Sequence, residues 1–327
     1  MNSKTKPTLD EATIKRLFAE AGIPNVESVS PLGSGEFSAV YSVDANGRGY
    51  VLKVSPRGDE HCMAYERNML ASEIYWYARI REQTDIRVPD IYVFDDSLAR
   101  LPSAYCILER LEGAPLPSAA LSEAERAEIP ARLAEMLAKI HAIPGERFGY
   151  EQCAPASSWA EALSGFVSLA LADCVRKHRR SRRGERLLRQ IGRHRAVLEP
   201  IFPRMVNFDL WPSNVIASHA NGELQLAWID PERSFWGDPA VDFVCLAFSR
   251  PLASAGKAIA AHNAVSAEPI ETSRDTRIRY ALGQGYLALI METERFFRYT
   301  PFQYGWWRNV LAASLLYRAA FRELETI

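Results

Sequence analysis

Three short segments rich in carboxylates and amides follow one another in the second half of this 327-residue chain, and no other feature restricts its fold as much. Asn207-Phe-Asp-Leu-Trp-Pro-Ser-Asn214 comes first. Strand-like runs over 215–217 and 224–229 around Asn221-Gly222 then lead into Ile229-Asp230-Pro-Glu232 and Gly237-Asp-Pro-Ala-Val-Asp242. Phosphoryl transfer needs a carboxylate to orient an attacking hydroxyl, and an amide with a second carboxylate to hold metal against the phosphates. Asp209 and Asn214, five residues apart, suit a loop in which the first faces a substrate and the second turns back to a metal. Asp230, at a strand end, stands opposite them. Such oxygen donors suit Mg²⁺, which keeps several waters and bridges phosphates.

The N-terminal third offers a matching nucleotide side. Leu32-Gly-Ser-Gly-Glu-Phe-Ser38 precedes a strand, and Gly33, Ser34 and Gly35 would let backbone N–H groups approach phosphates. A lone GxG turn between strands is more often only a turn. Strand-like runs over 37–44 and 50–55 flank Asn46-Gly47, a strong turn signal in a loop read as longer than two residues. Lys53, in Val-Leu-Lys-Val on the second run, stands where a kinase lysine meets the α/β-phosphates. A helical stretch over 63–81 carries Glu66 and Glu73, seven apart and on nearly one face, so periodicity does not choose the lysine's partner.

Thr8 and Glu11 form a capping-box pattern ahead of Ile14, Leu17, Phe18 and Ala21, which predicts a short N-terminal helix. With strand-like runs over 91–94 and 104–108, the first third reads as a small antiparallel sheet with one inserted helix. Residues 109–117 have the Gly and Pro content of a connector, after which helical periodicity dominates. Ser122 and Glu125 open a helix whose buried face runs through Leu133, Met136, Leu137 and Ile140 to His141. A lone histidine on an apolar face is read as a satisfied core residue.

The three segments resemble the HGDxxxxN, IDxE and GDPxxD signatures of the aminoglycoside phosphotransferase and choline-kinase-like superfamily, and residues 209–211 are similar to fructosamine kinases. Asn207 replaces the family's histidine and Phe208 its glycine. The resemblance covers residues 31–245. It implies an α+β, bilobal protein-kinase-like fold: an N-terminal lobe over 1–108, a hinge over 109–113, and a larger, mainly helical lobe over 114–327, with ATP and Mg²⁺ between them. It further implies Asp209 as catalytic base, Asn214 and Asp230 as metal ligands, and Asp242 as a buttress of the loop. Backbone groups of Glu109 and Leu111 would hold adenine. Glu73 is favoured over Glu66 because it lies about four helical turns before Val88-Pro89. The acceptor is expected to be a small-molecule hydroxyl of an antibiotic, an amino alcohol, a sugar or a glycated amine. A protein acceptor is disfavoured because the DFG and APE motifs are absent.

Composition removes other classes. A formal net charge of -1 does not mark a nucleic-acid binder. With no apolar signal core and no apolar run of roughly 20 residues, the chain is expected to be soluble and cytoplasmic. Five scattered cysteines without a CxxC pair read as free thiols. Residues 176–195 hold ten Arg or Lys against the single acid Glu185, and are read first as a solvated helix face. The alternative is a non-catalytic kinase-fold module that docks on RNA or an acidic partner through that segment. The aromatic cluster of Phe296, Phe297, Tyr299, Phe302, Tyr304, Trp306 and Trp307 is read as core packing.

Overall fold

The structure, a computed structural model, describes residues 7–32, 37–56, 58 and 62–327. They form two compact units. The first comprises the described residues of Met1–Cys62, Asn68–Ala119 and Ser213–Glu232; the second comprises Met63–Arg67, Ala120–Pro212 and Arg233–Ile327.

In the first unit, helix α1 (Glu11–Glu20) begins at Asp10, whose carboxylate accepts the Thr13 N–H at 2.7 Å. The cap is Asp10 rather than Thr8, because a carboxylate directly ahead of the first turn meets both its open N–H groups and the positive end of the helix dipole. Ile14, Leu17 and Phe18 pack on a five-stranded antiparallel sheet. Its strands are β1 (Val26–Pro31), β2 (Ala39–Ala45), β3 (Arg48–Val54), β4 (Ile91–Asp95) and β5 (Tyr105–Glu109), in the order β1-β2-β3-β5-β4. Strand β1 escapes sequence reading because it is a half-exposed edge with only Val26 and Val29 against the core. Ala45 pairs with Arg48, so the β2–β3 loop is two residues rather than longer, with Asn46 and Gly47 at φ 52° and 69°. Positive φ at both positions matches the twist of a tight hairpin.

The single helix expected over 63–81 is two pieces. A 3₁₀ turn (Ala64–Glu66) is separated from α2 (Met69–Gln83) by Asn68, whose left-handed φ of 57° ends one helix before the next begins. Strand β6 (Ala114–Pro115) lies beside the hairpin of β8 (Val215–Ala220) and β9 (Glu223–Trp228). Gly113 reaches β8 at φ 108°, where an added Cβ would sit 2.2 Å from the Ala217 carbonyl oxygen. Only glycine fits there. The Trp228 N–H donates to the Arg87 carbonyl at 2.8 Å and so joins β9 to the segment entering β4.

The second unit is mainly helical: α3 (Glu123–His141), α4 (Trp159–Arg176), α5 (Arg182–Arg193), α6 (Arg195–Leu198), α7 (Phe243–Leu246), α8 (Gly256–Val265), α9 (Arg274–Arg298) and α10 (Tyr304–Thr326). Strand β7 (Arg204–Val206) pairs antiparallel with β10 (Phe235–Gly237). Ser122 and Glu125 form the expected reciprocal capping box. Tyr150, Trp159, Phe166, Phe235 and Tyr286 form a buried aromatic cluster, onto which Phe208 stacks at 5.5 Å from the Tyr286 ring. This cluster fixes the start of the Asp209 loop.

Residues 176–195 are only partly the solvated face expected. Arg182, Arg189 and Arg193 are exposed, but Arg183 and Arg186 lie over the rings of Tyr317 and Phe321 at 4.7 and 4.0 Å. The aromatic cluster also departs from a core: Phe297 is buried, whereas Phe302, Tyr304 and Trp307 are 98%, 79% and 60% exposed. Phe302 precedes α10, and Tyr304 and Trp307 share one face of that helix, opposite the one it buries. All five cysteines are free thiols. No helix among the described residues is long and apolar enough to cross a membrane.

Candidate active site

In the first unit Lys53 sits on β3, between Val40 of β2 and Cys106 of β5. Its ammonium lies 2.7 Å from Glu73 Oε2 of α2 and 2.5 Å from Asp230 Oδ1 beyond β9. Burial by itself would lower the lysine pKa, but attraction from Asp230 and then Glu73 outweighs it and holds the ammonium well above the ordinary lysine range. Burial pushes the Glu73 carboxyl up while Lys53 pulls it down. At 2.7 Å from a retained ammonium we assign the pair as charged.

Asp230 adopts a left-handed φ of 59°, and its backbone N–H donates to Tyr77 Oη at 3.0 Å. That bond holds the strained turn in place, so that one carboxylate oxygen meets Lys53. The side chain remains 38% exposed. Asn214 lies at the same end of the hairpin, because its carbonyl accepts the Ile229 N–H at 2.9 Å and Val215 pairs with Trp228. A partly exposed carboxylate and an amide-bearing residue at one end of a hairpin are donor types that suit Mg²⁺, which takes one or two protein oxygens and completes its shell with phosphates and water. Among the described residues no cluster of three His, Cys, Asp or Glu forms a protein-only metal cage.

In the second unit the Asp209 loop is braced from below. The buried Asp242 carboxylate accepts the Asn207 N–H at 2.8 Å and the Phe208 N–H at 2.5 Å. Asp242 Oδ2 also lies 3.0 Å from His141 Nε2, and His141 Nδ1 lies 2.9 Å from His262 Nε2. Burial, and then the neighbouring His141, lower the His262 pKa to about 4. Asp209 donates its N–H to Asn207 Oδ1 at 2.9 Å, accepts the Trp211 Nε1–H at 2.8 Å, and lies 3.9 Å from Arg233 Nε. Arg233 is held in turn by Glu294 at 2.8 Å.

Residues 28–276 match the phosphotransferase enzyme family (APH). The chain belongs to that family. As a member it is a phosphotransferase that acts on a hydroxyl group of a small molecule. No curated protein matches the chain. Among solved structures, one similar fold is a candidate fructosamine-3-kinase from Haemophilus somnus 129PT: TM-score 0.68, 17% identity, covering 95% of this chain and 96% of that one. Another is a thermostable mutant of aminoglycoside phosphotransferase APH(4)-Ia in ternary complex with ADP and hygromycin B: TM-score 0.59, 18% identity, 96% and 98% covered. A third is the GDP and kanamycin complex of APH(2")-IIia: TM-score 0.62, 15% identity, 97% and 99% covered. At these identities the likeness is one of fold.

Within the phosphotransferase family frame, the two departures from the motif acquire physical meaning. Phe208 stands at φ 58°, a backbone conformation easy for glycine, which costs an L-residue roughly 1–2 kcal/mol. Its ring is 2% exposed and packs on Phe235 and Tyr286, which offsets that strain. Asn207 makes the i to i+2 turn bond that its short side chain favours.

The other sequence candidates fall as follows. Glu66, in the second unit, accepts the Met63 N–H and pairs with Arg298 at 2.5 Å. Glu109 spends its N–H on the Asp90 carbonyl at 2.8 Å, and the Leu111 N–H has no partner among the described residues. Gly33, Ser34 and Gly35 lie outside the described residues. Sequence reasoning missed Tyr77, Trp211 and Arg233. The last two stand inside or directly beside the motifs, so adjacency to Asp209 and Glu232 was the available signal.

Proposed function

We propose that this phosphotransferase is an ATP- and Mg²⁺-dependent small-molecule kinase that transfers the γ-phosphoryl group to a substrate hydroxyl. The observation that carries the reading is the grip of Glu73 and Asp230 on the buried Lys53 ammonium. A cation held in the charged state on a rigid strand is what the α/β-phosphates require. Asp230 and Asn214 would hold Mg²⁺, which neutralises phosphate charge when bound. Asp209 would orient the hydroxyl and take its proton, with the Arg233 guanidinium 3.9 Å from its carboxylate. Gly33, Ser34 and Gly35 would line the phosphates, and backbone groups of Glu109 and Leu111 would meet adenine across a hinge over 109–113. Complexes of similarly folded proteins with ADP and with GDP support nucleotide use.

The test is ADP release with ATP and Mg²⁺ across aminoglycosides, amino alcohols, sugars and glycated amines, run beside a thermal-shift titration with nucleotide. ADP release that depends on one acceptor class is expected. No turnover together with no nucleotide-dependent stabilisation would refute the kinase reading, and leave the docking role of residues 176–195 as the one to pursue.

A further inference from the structure

Helix α10 is apolar on two opposite faces. Gly305, Asn309, Ala313, Leu316, Tyr317, Ala320 and Phe321 are buried along one. Tyr304, Trp307, Leu311 and Leu315 are 79%, 60%, 63% and 43% exposed along the other, with Phe302, 98% exposed, just ahead of the helix. At about 100° per residue, positions 304, 307, 311, 315, 318 and 322 fall within an arc of roughly 80°. One narrow stripe therefore runs from aromatic rings through leucines to Arg318 and Arg322. Both arginines are exposed and form no ion pair among the described residues. A helix that is apolar on both sides belongs in an interior.

We infer that the stripe is the interface of an isologous dimer, with α10 packed antiparallel against α10 of a second copy. The sequence of the stripe is self-complementary about Leu311. Under a two-fold axis there, Leu311 meets its own counterpart, Trp307 meets the partner's Leu315, and Tyr304 meets the partner's Arg318. Each otherwise unpaired guanidinium end thus faces an aromatic end. The same contact recurs inside the subunit, where Arg183 covers Tyr317 at 4.7 Å, Arg186 covers Phe321 at 4.0 Å and Arg295 covers Trp306 at 5.1 Å. Taking roughly 150–250 Å² per whole aromatic side chain, the five exposed residues offer about 700 Å² on each copy. That exceeds the roughly 300–600 Å² of the largest patch on a typical monomer. Doubled, at about 1,400 Å², it reaches the size of a stable specific interface. A membrane surface would take the leucines and rings but would leave the arginines without their rings, and a net charge of -1 gives an anionic bilayer no long-range pull on the chain.

Sedimentation equilibrium of the full chain, from nanomolar to tens of micromolar, reads the association directly. A reversible dimer is expected. Leu311→Glu, which sets two carboxylates against each other on the axis, should raise its dissociation constant at least about 100-fold while leaving the melting temperature of the monomer unchanged. Cysteine pairs read the register independently of that variant. Leu311→Cys should form a disulfide with itself under mild oxidation, and Leu315→Cys should cross-link with Trp307→Cys only when the two proteins are mixed. The wild type, with its five native thiols, is the control. A monomer across the whole range overturns the proposal. So does a dimer indifferent to Leu311→Glu with no register-specific cross-link, or a monomer that binds anionic vesicles through the stripe.

Discussion

Replacing Asp242 with Asn keeps the shape of the side chain but exchanges one acceptor oxygen for an NH₂ donor. The native carboxylate is fully buried, and its two oxygens serve the Asn207 N–H, the Phe208 N–H and His141 at 2.8, 2.5 and 3.0 Å. An asparagine satisfies one side of that set and turns a donor toward the other. A hydrogen bond to a charged group is worth about 1.5–3 kcal/mol, and a buried donor left without a partner costs about 1–3 kcal/mol more. The expected loss of stability is therefore about 3–5 kcal/mol. Phe208, held at φ 58° by these bonds, should then relax and shift Asp209, whose N–H is tied to Asn207. A displacement near 1 Å costs about 100-fold in rate, so kcat should fall by about that factor. The KM for ATP should stay within a few-fold, because Lys53, Glu73 and Asp230 take no part in the loop. Urea unfolding and initial rates of ADP release at varied ATP measure both effects. A stability loss under about 1 kcal/mol with kcat unchanged would show that Asp242 does not set the loop.

Asp209→Asn should lower kcat by about 10²- to 10⁴-fold with little change in nucleotide affinity, and near-native turnover of the folded variant would remove Asp209 from the base role. Asp230→Ala should nearly abolish turnover and change its Mg²⁺ dependence; an unaltered metal titration would move the metal elsewhere. His262, with a folded pKa of about 4 against an ordinary 6.5, leaves the unfolded chain to take up its proton first as pH falls. Stability that is whole above about pH 6.5 should decline toward pH 4 by about 3 kcal/mol, and His262→Gln should remove that part of the slope in urea midpoints measured across the window. Arg183→Gln, which strips the Tyr317 ring and the Glu292 pairing, should cost about 1–2 kcal/mol, whereas the exposed Arg182→Gln should stay within about 0.5 kcal/mol; equal effects would deny the stacking any weight.

Local chemistry accounts for what the sequence determined by itself. Asn46-Gly47 and Asn221-Gly222 specify hairpins because few other residues accept two successive left-handed conformations, and Ser122 with Glu125 caps α3 through bonds made within four residues. The order of the Asp209, Asp230 and Asp242 segments was enough to point to the phosphotransferase family.

Tertiary structure decided the matters that one helix or one segment could not. Glu66 and Glu73 looked equivalent on a single helix face, but Asn68 breaks that helix, Arg298 takes Glu66 from 232 positions away, and Glu73 meets Lys53. Asp230 reaches the same lysine across 177 positions. The arginines of residues 176–195 and the rings of α9 and α10 looked like two unrelated surface and core features, yet many of them are contacts of each other. A charge or a ring in sequence carries no record of which distant group will desolvate it. Pairing is settled only when the core closes and a buried ion or an exposed ring must find its partner.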